Sequence, residues 1–171
     1  VAAAIGLILA IWVIVTTLQN AWLRFSNTAF NTIPRRYYGM LAAHLGIAVC
    51  VIGISLTTAY QVQKDVQMNI GDTVSVSTYQ FHFDSLQGLQ SPNYTCAAGL
   101  FTVTQNNRVI TQLQAEKRLY NVQQSIMTKA AIDATIIRDL YVALGEPLAN
   151  SAWAVRIYYK PWVRLIWLGG L

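Results

Sequence analysis

The sequence has few charged residues for its length. Charged residues make up 11% of the 171 residues and apolar residues 54%, whereas a soluble domain usually has about 25% charged residues. The deficit is local, because it comes from three apolar blocks, at residues 1–18, at residues 38–58 and from Trp162 to the end. A stretch of ordinary soluble composition separates the second block from the third. The composition therefore predicts a membrane protein with one soluble part.

Cysteine is also scarce, and the usual catalytic motifs are missing. Cys50 lies in the second apolar block and Cys96 in the soluble stretch, so the two are not expected to pair, and no CxxC or Cys/His metal spacing occurs. A Ser/His/Asp order, HExxH, a P-loop and GxGxxG are absent. The net charge of +5 is spread out without a run of like charge, which argues against a nucleic-acid partner.

The apolar blocks have the length of membrane-spanning helices. About 20 helical residues, at roughly 1.5 Å each, cover the ~30 Å of a bilayer's hydrocarbon core. We predict transmembrane helices at residues 1–18 and 38–58, and the start of a truncated final transmembrane helix at residues 161–171. The first block has no initial methionine or charged flank, which indicates a piece of a larger membrane protein rather than a signal peptide.

The loop at residues 19–37 predicts the orientation. It contains Arg24, Arg35 and Arg36 and no acidic residue, and a short basic loop marks the cytoplasmic side. We interpret the arginines mainly as this topology signal rather than as a lipid or ligand site. Residues 59–160 would then lie in the periplasm of a bacterium.

Residues 59–160 are predicted to be mainly β. Short stretches alternate apolar and polar residues, and turn-forming residues separate them. The predicted strands are at residues 60–70, around Val74 and Val76, around Phe81 and Phe83, and at residues 100–104, 109–113 and 152–159. Residues 132–144 are ambiguous between strand and helix, and their β-branched residues favour strand. The pattern indicates a small antiparallel barrel or sandwich, with Asn106-Asn107 as one hairpin turn.

The second apolar block has two different faces. At ~100° per residue, one stripe carries small residues, which let another helix approach closely in lipid. These are Gly39, Ala43, Gly46, Cys50 and Gly53. His44 lies about 140° away, near Ser55. An imidazole in hydrocarbon needs a hydrogen-bond partner, a metal or water, and neutral imidazole is a common axial ligand of haem iron. A hydrogen bond to a neighbouring helix and a functional role both remain open.

The soluble stretch offers weaker candidates. On a strand, His82 and Asp84 would face away from Phe81 and Phe83, as a solvent-facing histidine beside a carboxylate. The mixed-sign runs at residues 116–118 and 138–139 are expected to be surface or strand-edge ion pairs of little energy.

Several motifs in order resemble the CcmF (also called CycK) family of bacterial cytochrome c maturation proteins. The resemblance is clearest from about residue 33 onward and indicates the C-terminal portion of such a protein. The motifs are Met40-Leu-Ala-Ala-His44-Leu-Gly-Ile-Ala-Val, Val62-Gln-Lys-Asp65-Val, Ala115-Glu-Lys-Arg-Leu-Tyr120, Met127-Thr-Lys-Ala-Ala-Ile132, Arg138-Asp-Leu-Tyr-Val-Ala-Leu-Gly-Glu146 and Trp153-Ala-Val-Arg-Ile-Tyr-Tyr-Lys-Pro161.

The resemblance implies a subunit of the haem lyase in the bacterial inner membrane. Such subunits take haem from the chaperone CcmE and attach it to the CxxCH motif of apocytochrome c, together with CcmH and, in some species, CcmI. They also carry a membrane haem b held by transmembrane histidines. His44 occupies the place of one axial ligand, so the resemblance implies that it binds haem iron.

Parts of the family pattern are missing. The tryptophan-rich periplasmic motif, its flanking histidines and the partner transmembrane histidine are not in this chain, so we expect the chain alone to be inactive. Lys129 stands where an acidic residue is expected, which weakens any role for that position.

Two other functions stay open. The chain could be a non-enzymatic, membrane-anchored docking subunit in which His44 helps helices to pack. A transporter fragment is a weaker alternative, because the sequence shows no broken helix or paired intramembrane charge.

Overall fold

The computed structural model describes residues 1–29, 32–148 and 151–171, and the chain divides into two compact units. The helical unit comprises residues 1–60, 136–138 and 161–171. The β unit comprises residues 61–135 and 139–160.

In the described residues, the helical unit contains three helices, α1 (Ala2–Asn27), α2 (Arg35–Tyr60) and α3 (Val163–Gly170). Both α1 and α2 are 26 residues long and apolar enough to cross a membrane. They extend beyond the predicted spans 1–18 and 38–58, so the predicted loop 19–37 is largely helical. Hydropathy falls at Leu18, but the glutamine, alanine, leucine and arginine that follow are good helix formers, so the helix continues. Two residues of that predicted loop, Phe30 and Asn31, lie outside the described residues.

The small-residue stripe of α2 packs against α3. A Cβ atom added to Gly169 would overlap the carbonyl oxygen of Gly46 and the backbone nitrogen of Cys50. A Cβ atom added to Gly53 would lie 2.8 Å from the backbone nitrogen of Ile166. The predicted close-packing face is therefore confirmed from Gly46 onward. Gly39 lies outside this contact, since a Cβ there would meet nothing within 4 Å.

The other side of α2 packs against α1. Ala48 and Ser55 are buried, and a Cβ added to Gly6 of α1 would overlap the Ser55 hydroxyl. Nearer its C-terminal end, Thr57 donates a buried hydrogen bond of 2.7 Å from its Oγ1 to the carbonyl oxygen of Pro161. Helix α2 is thus the central element of the helical unit.

The β unit is a sandwich of two antiparallel sheets, which decides between the predicted barrel and sandwich. One sheet has the strand order β1-β9-β8-β7 and the other the order β2-β3-β4-β5-β6. The strands are β1 (Val62–Met68), β2 (Thr73–Val76), β3 (Tyr79–Gln90), β4 (Tyr94–Gln105), β5 (Arg108–Tyr120), β6 (Ile126–Lys129), β7 (Ala131–Ala134), β8 (Arg138–Pro147) and β9 (Trp153–Pro161).

Most predicted strands are present, with different ends. Strand is confirmed for most of the ambiguous residues 132–144, which fall in β7 and β8, but Ile136 and Ile137 lie in the connection between these strands. The hairpin turn at Asn106-Asn107 is confirmed, because both residues have positive φ (50° and 59°) between β4 and β5. Strands β4 and β5 are both longer than predicted, because small and charged residues in them obscure the alternation of apolar and polar residues.

The core lies between the two sheets and is built around aromatic rings. Phe81, Phe83 and Phe101 are fully buried, and the rings of Phe83 and Phe101 stack with centroids 4.6 Å apart. Leu140, Val142, Leu144, Val155 and Ile157 of the other sheet are fully or almost fully buried in the same cluster. The inward direction predicted for Phe81 and Phe83 is therefore confirmed.

We predict that Phe101→Ala lowers the free energy of unfolding of the β unit by about 3–5 kcal/mol, because it removes a stacked ring from a closed core. Denaturant unfolding of the detergent-solubilised protein measures this loss. Val109→Ala is the control, since Val109 is 65% exposed and should change stability by less than about 0.5 kcal/mol. Equal losses in the two variants would contradict the proposed packing.

Candidate functional site

His44 is exposed on α2, and its ring is oriented by its own helix. Its Nδ1 lies 2.8 Å from the backbone carbonyl oxygen of Met40, one helical turn earlier. A carbonyl oxygen only accepts, so in the neutral ring Nδ1 must carry the hydrogen. The lone pair then lies on Nε2. This is the tautomer that a histidine needs to ligate a metal through Nε2, with Nδ1–H hydrogen-bonded to a carbonyl.

His44 is separate from the face that packs on α3. It lies within about 40° of Ala48 and Ser55 on the helix surface. Both of those residues are buried, whereas His44 is exposed. Among the described residues, the hydrogen bond of its ring is to its own helix and not to α1 or α3. The arrangement within this chain therefore does not show His44 joining two helices.

The surroundings of His44 are apolar. Met40 and Ile47, at positions i−4 and i+3, share its face of the helix and are 38% and 62% exposed. The imidazole therefore projects from an exposed apolar patch. An exposed apolar patch around an imidazole can contact a flat apolar ligand with a central metal ion, such as haem.

His82 is hydrogen-bonded on the outer side of the β unit. Its Nδ1 lies 2.9 Å from the Oγ1 of Thr73, and its Nε2 lies 3.7 Å from the Oδ1 of Asp84. The side chains of His82 and Asp84 are 42% and 28% exposed. The prediction of a largely solvent-facing histidine beside a carboxylate is confirmed.

The charged run at residues 116–118 is less exposed than predicted. Glu116 is 8% exposed, so the surface alternative is wrong for this residue, whereas the expected ion pairs form with Arg118 and with Lys129 on the edge strand β6. Its carboxylate accepts hydrogen bonds from the Nε of Arg118 at 2.8 Å and the Nζ of Lys129 at 3.2 Å. The pairing of β5 with β6 places Lys129 opposite Glu116, a long-range contact that the sequence does not display. An acidic residue at position 129 would face Glu116, so lysine suits this chain.

The ion pairs of this cluster favour the charged form of Glu116. Burial alone would raise the pKa of Glu116, but the hydrogen bonds from Arg118 and Lys129 outweigh it and lower that pKa. The guanidinium of Arg118 also lies 4.4 Å from the centre of the Tyr94 ring. The cluster holds paired charges, and we assign it to stability.

An open groove of about 620 Å³ lies in the β unit. Its lining includes Cys96, Lys117, Leu119, Ile126, Pro147 and Trp153. Leu119 and Ile126 are cross-strand partners in β5 and β6, yet they are 38% and 62% exposed. The sequence pattern did not reveal this groove, because it depends on how far the strands of the two sheets overlap.

The described residues contain no group of three or more His, Cys, Asp or Glu side chains that could hold a metal ion.

The comparisons with known proteins agree with the motifs. The family model described as "CcmF C-terminal beta-sandwich" matches residues 59–161. The cytochrome c-type biogenesis protein CcmF of Pseudomonas aeruginosa is 54% identical over 82% of this chain and 22% of its own length. The protein of the same name from Escherichia coli is 47% identical over 98% of this chain and 26% of its own length. The chain thus spans about a quarter of the length of the curated relatives it matches.

A solved structure described as "Cytochrome c Heme Lyase CcmF" has a similar fold. It superposes with a TM-score of 0.80 over 99% of this chain and 28% of its own chain, at 16% sequence identity. At this identity the match supports the fold: two apolar helices followed by a β-sandwich.

We predict that the Glu116 cluster makes the β unit sensitive to acid. The pKa of Glu116 is lower in the folded state, so its stabilising effect is present above the ordinary carboxyl pKa of about 4.3 and disappears as the pH falls through the lower folded value. Glu116→Gln should therefore destabilise the unit at pH 7, and the difference from the parent should shrink below about pH 4. Unfolding midpoints measured across this range test the prediction.

Glu146→Gln is the matched control. Glu146 pairs with Lys117, but its side chain is 69% exposed, so its removal should change stability little at pH 7. A difference between the parent and Glu116→Gln that stays constant from pH 7 to pH 3 would refute the role of this carboxylate.

Proposed function

The chain belongs to the CcmF family of cytochrome c-type biogenesis proteins, and on this basis we propose that it is the C-terminal portion of a haem lyase subunit of a bacterial inner membrane. The proposed reaction attaches haem covalently to the two cysteines of a CxxCH motif in apocytochrome c. The haem would arrive from the chaperone CcmE. Because the chain spans about a quarter of its relatives' length, we propose that it is inactive without the rest of the protein.

His44 is proposed to be one axial ligand of a membrane haem b. The observation that supports this role is the hydrogen bond from its Nδ1 to the Met40 carbonyl, which leaves the Nε2 lone pair exposed on an apolar surface. Met40 and Ile47 would offer apolar contacts to the bound haem. The second ligand would come from outside this chain. When bound, the haem would supply a one-electron redox centre within the membrane.

The proposed reaction accounts for the kinds of residue found here. Thioether formation adds a thiol across a vinyl group of the substrate haem, so the protein has to position the two partners and keep the thiols reduced. A hydrolase-like triad is not needed for this chemistry. The charged residues of the β unit, such as the Glu116 cluster, would support the fold and take no part in the reaction.

The β unit is proposed to be a periplasmic lid or docking surface. Its partners would be CcmH and, where present, CcmI, which present reduced apocytochrome c. The open groove with Leu119 and Ile126 supports this role, because exposed apolar residues at a concave site favour protein contact.

We predict that His44→Ala in the full-length protein removes or strongly weakens the reduced b-type haem spectrum, because the iron loses an axial ligand. Optical spectra of oxidised and reduced protein in detergent measure the effect. Added imidazole should restore part of the spectrum by replacing the missing ring. An unchanged spectrum in a normally folded His44→Ala protein would show that His44 is not a haem ligand and would favour a role in helix packing.

His82→Ala is the matched control for that experiment. His82 is the other histidine of the chain and is hydrogen-bonded to Thr73 in the β unit. Its replacement should leave the haem spectrum unchanged. Equal spectral losses in the two variants would indicate a general loss of structure.

We further predict that Ile126→Asp reduces haem attachment to a reporter cytochrome at least threefold in cells, because it places a charge in the proposed docking groove. The b-type spectrum of the purified variant should stay normal. Val109→Asp is the control, since Val109 has a similar exposure of 65% and does not line the groove. Normal attachment with Ile126→Asp would exclude this groove as the docking site.

A further inference from the structure

The helical unit contains a second feature of functional interest, at the end of α1 and the start of α2. An open cavity of about 630 Å³ lies there. Its lining includes the polar residues Asn20, Arg24 and Asn27 of α1 and Arg36 and Tyr37 of α2. Arg24 and Arg36 are 12 residues apart in sequence, and the helical hairpin brings them to one cavity.

The polar groups of this cavity are mostly hydrogen-bond donors. The hydroxyl of Tyr37 donates to the Oδ1 of Asn20 at 2.7 Å, which leaves the Asn20 amide hydrogens as donors. The guanidinium of Arg24 lies 5.9 Å from the centre of the Tyr37 ring, which helps to hold it in place. The site therefore favours an anion that can accept several hydrogen bonds.

The positive charge of the cavity is not neutralised by a neighbouring carboxylate. The sequence has no Asp or Glu before Asp65. Among residues 1–29, 32–148 and 151–171, none of the ion pairs involves Arg24 or Arg36. Two guanidinium groups at one cavity match a phosphate group, which can accept their paired hydrogen bonds.

A shallow, mostly apolar groove adjoins this cavity, along one face of α1. It has a volume of about 540 Å³ and is lined by Leu18, Gln19, Trp22 and Leu23. Leu23 lines both spaces, so the polar cavity and the apolar groove meet. Trp22 is 75% exposed, and tryptophan favours the boundary between a bilayer's hydrocarbon core and its headgroups.

We propose that this pair of sites binds an anionic phospholipid such as phosphatidylglycerol. The phosphate would lie between Arg24 and Arg36, and an acyl chain would follow the groove past Trp22 and Leu18. A free phosphate would use only the polar cavity and leave the groove empty. A lipid accounts for both features, on a helix with the length and hydropathy of a membrane span.

The experiment measures lipid binding to the full-length protein in neutral detergent by native mass spectrometry. The probes are phosphatidylglycerol and phosphatidylcholine with identical acyl chains, and glycerol 1-phosphate as a competitor. We expect phosphatidylglycerol to bind at least tenfold more tightly than phosphatidylcholine, and equimolar glycerol 1-phosphate not to displace it. Equal binding of the two lipids, or full displacement by glycerol phosphate, would overturn the proposal.

Arg24→Lys/Arg36→Lys is the test variant, because lysine keeps the charge that sets membrane orientation but loses the planar fork of arginine. We expect its affinity for phosphatidylglycerol to fall at least fivefold. Arg35→Lys is the matched control, because Arg35 is adjacent to Arg36 in sequence but does not line the cavity. This variant should change the affinity for phosphatidylglycerol less than twofold. Similar losses in both variants would indicate binding to general surface charge and would refute a defined site.

Discussion

The helical unit depends on the close approach of α2 and α3. Where Gly169 meets Gly46 and Cys50, the two backbones are so near that a single added Cβ would overlap them. In lipid, hydrophobicity does not hold helices together, so contacts of this kind supply much of the association. Helix α3 occupies the small-residue face from Gly46 onward and α1 contacts Ser55, whereas much of the rest of α2, including His44, is exposed.

The β unit depends on a different physical principle. Its core is closed by fully buried aromatic and aliphatic side chains of both sheets, including Phe83 and Phe101. The charges around Glu116 are satisfied by one another.

The features predicted from the sequence are those with a local pattern. The apolar spans, the stripe at Gly46 and Gly53, the inward phenylalanines and the Asn106-Asn107 turn each follow from residues near one another in the chain. The burial of Glu116 depends on the register of β5 with β6, and the cavity at Arg24 and Arg36 depends on a hairpin between two helices. These long-range pairings have no periodic signature, so pattern analysis missed both features. The predicted ends of α1 and α2 were too close together in sequence for each helix, because hydropathy falls at residues that still have high helix propensity.

The hydrogen bond that orients His44 is accepted by a main-chain oxygen, not by a side chain. Any amino acid at position 40 that keeps the helix intact would present the same oxygen in the same place. Many metal-binding histidines instead rely on a carboxylate partner that a point mutation can remove. The ring orientation of His44 is therefore robust to mutation at its partner residue, and the hydrogen bond can persist while the side chains around it diverge.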